Sequence, residues 1–162
     1  MPSASHVILA ATAGYFLYQI VAAGASWISP RSKPTTDDVE DDEPIVIRNY
    51  TPLELAEFDG RRSRKIFMAV KGRVFDVSRG ASFYGPDGAY GNFAGRDASR
   101  GLAKHSFELD MLMPLDQPID TLADLSADER DSLNDWFGHF SMKYPHVGFL
   151  VNPAPVATTT DW

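Results

Sequence analysis

Two kinds of hydrophobic pattern divide the chain. Residues 7–28 form an unbroken apolar run without a charged side chain, whereas the apolar positions further along recur in short periodic blocks. A long uncharged run is typical of a membrane-spanning helix, and short blocks are typical of helices and strands that bury one face. The pattern therefore predicts an N-terminal anchor followed by one globular domain.

The apolar run extends from Val7 to Ile28. As a helix, 22 residues rise about 33 Å, which matches a hydrocarbon core of about 30 Å. Trp27 stands where an aromatic anchor at the membrane interface is expected. The first alternative is a cleaved signal peptide, which the small residues Ala22–Ser26 favour but the absence of Lys and Arg from residues 1–6 disfavours. A buried helix of a soluble domain is the second alternative, and the length of the run disfavours it.

Charge after the run predicts its orientation. Arg31 and Lys33 follow it directly, so the positive-inside rule places the C-terminal part of the chain in the cytosol. Residues 31–44 carry two bases and six acids, a balance of −4, and should form an extended acidic linker. We therefore expect an anchor in residues 1–30, this acidic linker, a globular domain in residues 45–150 and a flexible tail in residues 151–162.

The first part of the globular domain carries local signals for a helix and a hairpin. Thr51–Glu54 forms a capping box with proline at the first helical position, which predicts a short helix ending near Gly60. The apolar runs Ile66–Val70 and Arg73–Val77 are separated by Lys71-Gly72, a combination that predicts two strands joined by a tight turn.

A second capping box, Ser126–Glu129, predicts a longer helix near the end of the domain. Its apolar positions recur at helical spacing and should face the core: Leu133, Trp136, Phe137 and Phe140. Short helices are expected near Arg96–Lys104 and after Leu109.

Composition excludes several classes of function. The 162 residues carry a formal net charge of −7 and no cysteine, which removes disulfides, thiolate chemistry and cysteine-based metal sites. No basic patch with interleaved aromatic residues is present, so nucleic acid is not an expected partner. We also find no nucleophile–base pair, paired carboxylates or phosphate-binding loop, and expect a non-enzymatic protein.

The stretch Phe83–Gly101 is the strongest candidate for a binding site. It contains two tyrosines, two phenylalanines and five glycines around one proline. Four of the glycines fall between Gly85 and Gly95, and because glycine and proline disfavour regular helix and strand, we expect an irregular loop there. Aromatic rings between glycines indicate a backbone that lies close to a flat ligand, although a tight turn packed by its own aromatic rings would explain the composition equally well.

This stretch resembles the signature of the membrane-associated progesterone receptor family, a branch of the cytochrome b5-like haem/steroid-binding domains. Four blocks carry the resemblance over roughly residues 48–150: FYGPDGAYGNFAGRDASRGLA from Phe83, YTPLELAEFDG at Tyr50–Gly60, IFMAVKGRVFDVSRG at Ile66–Gly80 and MKYPHVGFL at Met142–Leu150. The resemblance implies an α+β fold of the cytochrome b5-like haem/steroid-binding type, here behind a single transmembrane helix, and a haem cofactor.

The resemblance also implies how haem is held. Cytochrome b5 uses two histidines, but this chain has Gly88–Gly91 in place of the first histidine motif and Ala94 or Gly95 at the second position. The family pattern implies that Tyr90 is the iron ligand, and tyrosine is a known axial ligand. Tyr84, Lys143 and Tyr144 match residues that surround the haem and hydrogen-bond it or its carboxylates. Phe83 and Phe93 are expected to line the pocket or simply to pack.

Three functions follow from the resemblance. The first is a haem-binding protein of the endoplasmic reticulum or another endomembrane, with a cytosolic domain that supports cytochrome P450 enzymes of sterol metabolism. The second is b5-type electron transfer, which the missing histidine pair disfavours. The third is a steroid- or lipid-binding protein without haem. Relatives also form haem-mediated homodimers, and the sequence leaves this open for the present chain.

Overall fold

A four-stranded sheet is the frame of the domain. The computed structural model describes residues 45–154. The strands are β1 (Arg48–Tyr50), β2 (Phe67–Val70), β3 (Arg73–Asp76) and β4 (His146–Leu150). Their order across the sheet is β1-β4-β3-β2, with β1 parallel to β4 and the other pairs antiparallel. The last strand in the chain therefore lies between the first strand and the central hairpin.

The hairpin predicted at Lys71-Gly72 is confirmed. Strands β2 and β3 pair in antiparallel register up to Val70 and Arg73, which leaves two residues for the turn. Lys71 has a φ of 50° and Gly72 a φ of 74°. Positive φ at both central positions defines the type I′ turn, whose twist matches that of the flanking strands.

Within residues 45–154, four α-helices accompany the sheet: α1 (Pro52–Ala56), α2 (Ala81–Tyr84), α3 (Ser99–Lys104) and α4 (Ala127–Lys143). Three single 3₁₀ turns in the same part of the chain cover Ser78–Gly80, Gly91–Phe93 and Leu109–Met111. Both predicted capping boxes are present, with Thr51 and Ser126 as N-caps that exchange hydrogen bonds with Glu54 and Glu129. Helix α1 is shorter than predicted, because it ends at Ala56 rather than near Gly60.

The core lies where the sheet meets the helices. One buried cluster joins residues of α1 and all four strands: Tyr50, Leu55, Phe67, Ala69, Val74, Val147 and Leu150. From α4, Leu133, Trp136 and Phe140 are buried as predicted. Phe137 is only half-buried, and its ring packs beneath the cations of Lys71 and Arg73, each 5.2 Å from the ring centroid. Three of the four predicted positions are therefore core, and the fourth covers the edge of the sheet.

The irregular loop predicted between Gly85 and Gly95 is confirmed, apart from one 3₁₀ turn, and the two ends of the stretch are helical. Phe83 and Tyr84 belong to α2, and Ser99–Gly101 opens α3. The two ends of the stretch contain few glycines, so helical hydrogen bonding persists there, while the glycines in between form turns.

Within residues 45–154 no helix is long and apolar enough to cross a bilayer. The expected anchor in residues 1–30 and the acidic linker in residues 31–44 lie outside the described residues. The same holds for residues 155–162 of the expected tail.

Candidate functional site

Tyr90 is positioned by a loop that closes on itself. Its backbone N–H donates to the carbonyl oxygen of Phe83 at 2.9 Å. A tighter turn, Gly88 to Gly85, lies inside that closure, and another, Gly91 to Gly88, overlaps its end. A Cβ at Gly88 would lie 2.3 Å from the Phe83 carbonyl oxygen. The loop can therefore close only with glycine at position 88, because any side chain would occupy the space of its main hydrogen bond.

The segment after Tyr90 is fastened to the sheet. The Gly95 N–H donates to the Phe67 carbonyl at 2.8 Å, and Ala69 exchanges two hydrogen bonds of 2.9 Å with Arg96 and Ala98. These bonds cover the outer edge of β2, which would otherwise present unpaired backbone groups. The loop that carries Tyr90 is thus held on a rigid frame at both ends.

Three tyrosines meet beside this loop. The ring centroid of Tyr84 lies 6.3 Å from that of Tyr90 and 6.2 Å from that of Tyr144, with the second pair edge to face. Tyr84 and Tyr144 are buried, whereas Tyr90 is half-buried. A Cβ at Gly80 would lie 2.7 Å from the Tyr144 hydroxyl and 3.0 Å from the Tyr84 ring, so the absence of a side chain there makes room for both.

Lys143 and Phe83 complete the cluster. Lys143 is the last residue of α4 and exposed, and its Nζ lies 5.5 Å from the Tyr144 ring centroid and 6.0 Å from that of Phe83. We call Phe83, Tyr84, Tyr90, Lys143 and Tyr144 the tyrosine cluster. The structure brings these five sequence-predicted residues together, and it places the sixth, Phe93, in the buried layer behind them.

The phenols of the cluster are held in their neutral form. The pKa of Tyr84 is raised the most of the three. Burial is the main cause, and the neighbouring hydroxyls of Tyr144 and Tyr90 raise this pKa further. Burial also raises the pKa of Tyr90 and of Tyr144. Since an unperturbed phenol titrates near about 10, none of them ionises at neutral pH without a nearby positive charge such as a metal ion.

The donor set fits a metal that is already held by a macrocycle. Among the described residues, no three His, Cys, Asp or Glu side chains are grouped closely enough to hold a bare ion. Haem iron needs only one or two protein ligands, and a phenolate oxygen is one of those it accepts. Of the three tyrosines in the cluster, Tyr90 is half-buried while the other two are buried, so it is the one most exposed to a ligand from outside.

One residue of the site was missed by the sequence analysis. Phe107 follows α3, beyond the conspicuous motif, and its ring centroid lies 4.7 Å from that of Tyr90 with 34° between the planes. The Asn92 side-chain amide donates to the Phe107 carbonyl at 2.7 Å. A single aromatic residue among polar neighbours carries no periodic signal, so only the fold could assign it to the site.

A separate groove shares no residue with the tyrosine cluster. It lies between α1, the Gly95–Asp97 segment and the chain after Met113, with a mostly apolar lining: Pro52, Leu55, Met113, Pro114, Leu115, Pro118, Ile119 and Leu150. Asp97 also lines it, and one of its carboxylate oxygens accepts from the Ser99 N–H at 3.0 Å. The domain therefore has an apolar depression distinct from the predicted haem site.

The family model described as "Cytochrome b5-like Heme/Steroid binding domain" matches residues 51–150. The chain belongs to the membrane-associated progesterone receptor family within this group of domains. The resemblance seen in the sequence is thus confirmed, and so is the cytochrome b5-like α+β fold.

Relatives of known name cover both the domain and its flanks. The Schizosaccharomyces pombe "Cytochrome P450 regulator dap1" is 42% identical over 139 residues, which is 85% of this chain and 81% of that protein. The Rattus norvegicus "Membrane-associated progesterone receptor component 2" is 45% identical over 106 residues, which is 65% of this chain. The chain spans about half the length of this second relative, 48% of it.

A solved Arabidopsis thaliana structure, described as having a cytochrome b5 like fold, agrees with this family member in fold. It superposes with a TM-score of 0.58 at 40% identity and covers 68% of this chain and 97% of its own. The names of these relatives describe regulators and binding proteins rather than enzymes.

Proposed function

We propose that this family member is a membrane-anchored protein that binds ferric haem through Tyr90 and supports cytochrome P450 enzymes of sterol metabolism, without catalysis of its own. The observation that carries the proposal is the tyrosine cluster itself. Five residues from α2, the glycine loop and the end of α4 meet at one place, and Gly80 leaves room for two of them.

Each residue of the cluster has a chemical role in this proposal. Tyr90 would hold the iron through its phenolate oxygen. Because its pKa is raised, the phenol keeps its proton at neutral pH until the charge of the iron favours its loss. Tyr84 and Tyr144 keep their protons and can donate hydrogen bonds from the buried side of the site. Lys143 is exposed at the rim, where an ammonium group can pair with a haem carboxylate.

The Tyr90 phenolate would be a hard anionic ligand for the haem iron, and such a ligand favours the ferric state over the ferrous state. The chain lacks the two histidines of an electron carrier at the corresponding positions, so we do not favour b5-type electron transfer. Support of P450 enzymes is taken from the name of the fission-yeast relative. The anchor in residues 1–30, on an endomembrane with the domain in the cytosol, would keep the protein beside membrane-bound partners.

The test is the absorbance spectrum of the full chain loaded with haem. In Tyr90→Phe we expect the Soret band to shift. The haem affinity should fall by more than about 100-fold, because losing only a hydrogen-bond partner of a metal ligand already costs about 10–100-fold. Tyr50→Phe is the matched control, because Tyr50 is buried in the core cluster with β1 and lies outside the tyrosine cluster. An unchanged spectrum in Tyr90→Phe would remove Tyr90 as the ligand.

A second function, steroid or lipid binding without haem, is favoured by relatives that are named membrane steroid-binding proteins. Mass spectrometry of ligands extracted from the purified protein distinguishes the two functions. Retained sterol in protein from haem-replete cells, with no haem, would favour this second function over the first.

A further inference from the structure

Phe107 lies against the face of Tyr90. The ring centroids are 4.7 Å apart and the planes are inclined by 34°, a closer approach than any of the three ring pairs of Tyr84 within the tyrosine cluster. Tilted aromatic rings whose centroids lie about 4.5–7 Å apart attract each other. One face of the Tyr90 ring is therefore covered by an aromatic residue from a different part of the chain.

Phe107 is tied to the Tyr90 segment at two further points. Its ring lies 5.5 Å from the ring of Phe93, which is fully buried in the 3₁₀ turn that follows Tyr90. Its carbonyl accepts the Asn92 side-chain amide at 2.7 Å, from the middle of the same turn. On the other side, the Ser106 N–H donates to the Gly101 carbonyl of α3 at 2.9 Å. The position of Phe107 is thus fixed with respect to both α3 and the loop.

We infer that Phe107 is a positioning residue for Tyr90: its ring sets the plane of the phenol and keeps water from one face of the oxygen that binds iron. The inference rests on the haem function proposed above. A residue held at three points cannot swing aside as a gate without breaking all of them, so it acts as a wall. A fixed phenol plane favours iron binding because less freedom is lost when the bond forms.

The wall has two measurable consequences. Without the ring, Tyr90 can adopt more orientations, so haem should leave faster and the iron–phenolate bond should become heterogeneous. In addition, the exposed ring face should react more readily with tetranitromethane, which nitrates accessible tyrosines. The second consequence does not involve haem at all.

The experiment compares three variants of the full chain: Phe107→Ala, Phe107→Leu and Phe107→Trp. Leucine keeps apolar volume without a flat face, while tryptophan keeps a flat face without adding a phenol that could bind iron. Phe149→Ala is the control, because Phe149 is 43% exposed on β4 and packs on His146 instead. Three quantities are measured: haem transfer to apomyoglobin, the resonance Raman bands of the iron–phenolate bond, and nitration of Tyr90 in the haem-free protein by peptide mapping.

We expect Phe107→Ala and Phe107→Leu to speed haem release by about three- to tenfold, the range of a lost aromatic pair. Broader Raman bands and faster nitration of Tyr90 should accompany this in both variants. Phe107→Trp should restore all three quantities toward the wild-type values, and Phe149→Ala should leave them unchanged. Thermal unfolding of the haem-free variants shows whether the domain still folds.

Full rescue by leucine would overturn the inference, since volume rather than an aromatic face would then suffice. Unchanged haem release in Phe107→Ala would also overturn it, because the ring would then not hold the phenol in place. If wild-type protein shows no iron–phenolate bands, the proposed function fails instead, and nitration of Tyr90 still tests whether Phe107 covers it.

Discussion

At the scale of single residues, the site depends on a glycine that leaves space as much as on the tyrosines that fill it. Gly80 lies under two tyrosines that are far apart in the sequence, and a methyl group there would approach the Tyr144 hydroxyl to 2.7 Å. A contact this short cannot be relieved by the backbone of a 3₁₀ turn alone, so the two rings would have to move.

We therefore predict that Gly80→Ala damages both folding and haem binding. The free energy of unfolding should fall by about 1–3 kcal/mol, the usual cost of overpacking. The haem affinity should fall as well, because Tyr84 and Tyr144 are displaced together. Urea denaturation of the haem-free chain and a haem titration measure the two effects.

Gly138→Ala is the matched control for this prediction. Gly138 lies in α4 with no atom within 4 Å of an added Cβ, and it is exposed. Alanine there should raise the free energy of unfolding by about 0.5–1 kcal/mol, because glycine is a poor helix former. Equal effects of the two substitutions would show that Gly80 is not a packing site.

At the scale of elements, α3 is fastened to the chain that precedes α4. Arg100 bonds Asp120 through two nitrogens and also reaches both carboxylate oxygens of Asp124, at 2.7 and 2.9 Å. Arg100 thereby holds α3 in place, and its side chain is only 19% exposed.

This clamp makes stability depend on pH. Hydrogen bonds from Arg100 lower the pKa of Asp120, and they lower the pKa of Asp124 to about 2. Unfolded aspartate titrates near about 3.9, so over this range the unfolded chain binds more protons than the folded one. The contribution of the clamp is therefore complete above about pH 5 and is lost as the pH falls toward 2.

We predict that Arg100→Lys lowers the free energy of unfolding by about 1–2 kcal/mol at pH 7, mainly through the largely buried pair with Asp120. The difference from wild type should shrink steadily between pH 5 and pH 3. Urea titrations across this range measure it, with Arg64→Lys as a control at an exposed arginine. A difference that is the same at pH 7 and pH 3 would contradict the assigned origin.

At the scale of the whole molecule, the domain contains a glycosylation sequence whose modification would show on which side of the membrane the domain lies. Asn49-Tyr50-Thr51 is an acceptor sequence for N-linked glycosylation, and Asn49 is exposed on β1. The enzymes that use such sequences act only on the lumenal side of the membrane. The expected cytosolic orientation therefore keeps this sequence unmodified.

We predict that the full chain expressed in eukaryotic cells carries no glycan at Asn49 and that its domain is digested by protease added to intact microsomes. The physical reason is the placement of Arg31 and Lys33 after the apolar run. Gel mobility before and after endoglycosidase treatment checks the first result. A change in gel mobility after endoglycosidase treatment that is absent in Asn49→Gln would show that the domain lies on the lumenal side, contrary to the prediction.

The sequence by itself determined the family, the hairpin and the starts of α1 and α4. These features are local: a capping box or a two-residue turn satisfies its hydrogen bonds between residues only three or four apart, so the pattern alone shows them. The tyrosines of the site were also named in advance, through a motif that can be read along the chain.

The tertiary structure decided what no local pattern contains. Phe107 packs on Tyr90, Gly80 leaves space for the Tyr144 hydroxyl, and Arg100 lies between Asp120 and Asp124. Each of these contacts joins residues that are distant in the chain, and it exists only because the sheet and helices pack at one particular distance and angle. Sequence shows which side chains could bind an iron porphyrin, and packing decides which of them meet and which residue holds them in place.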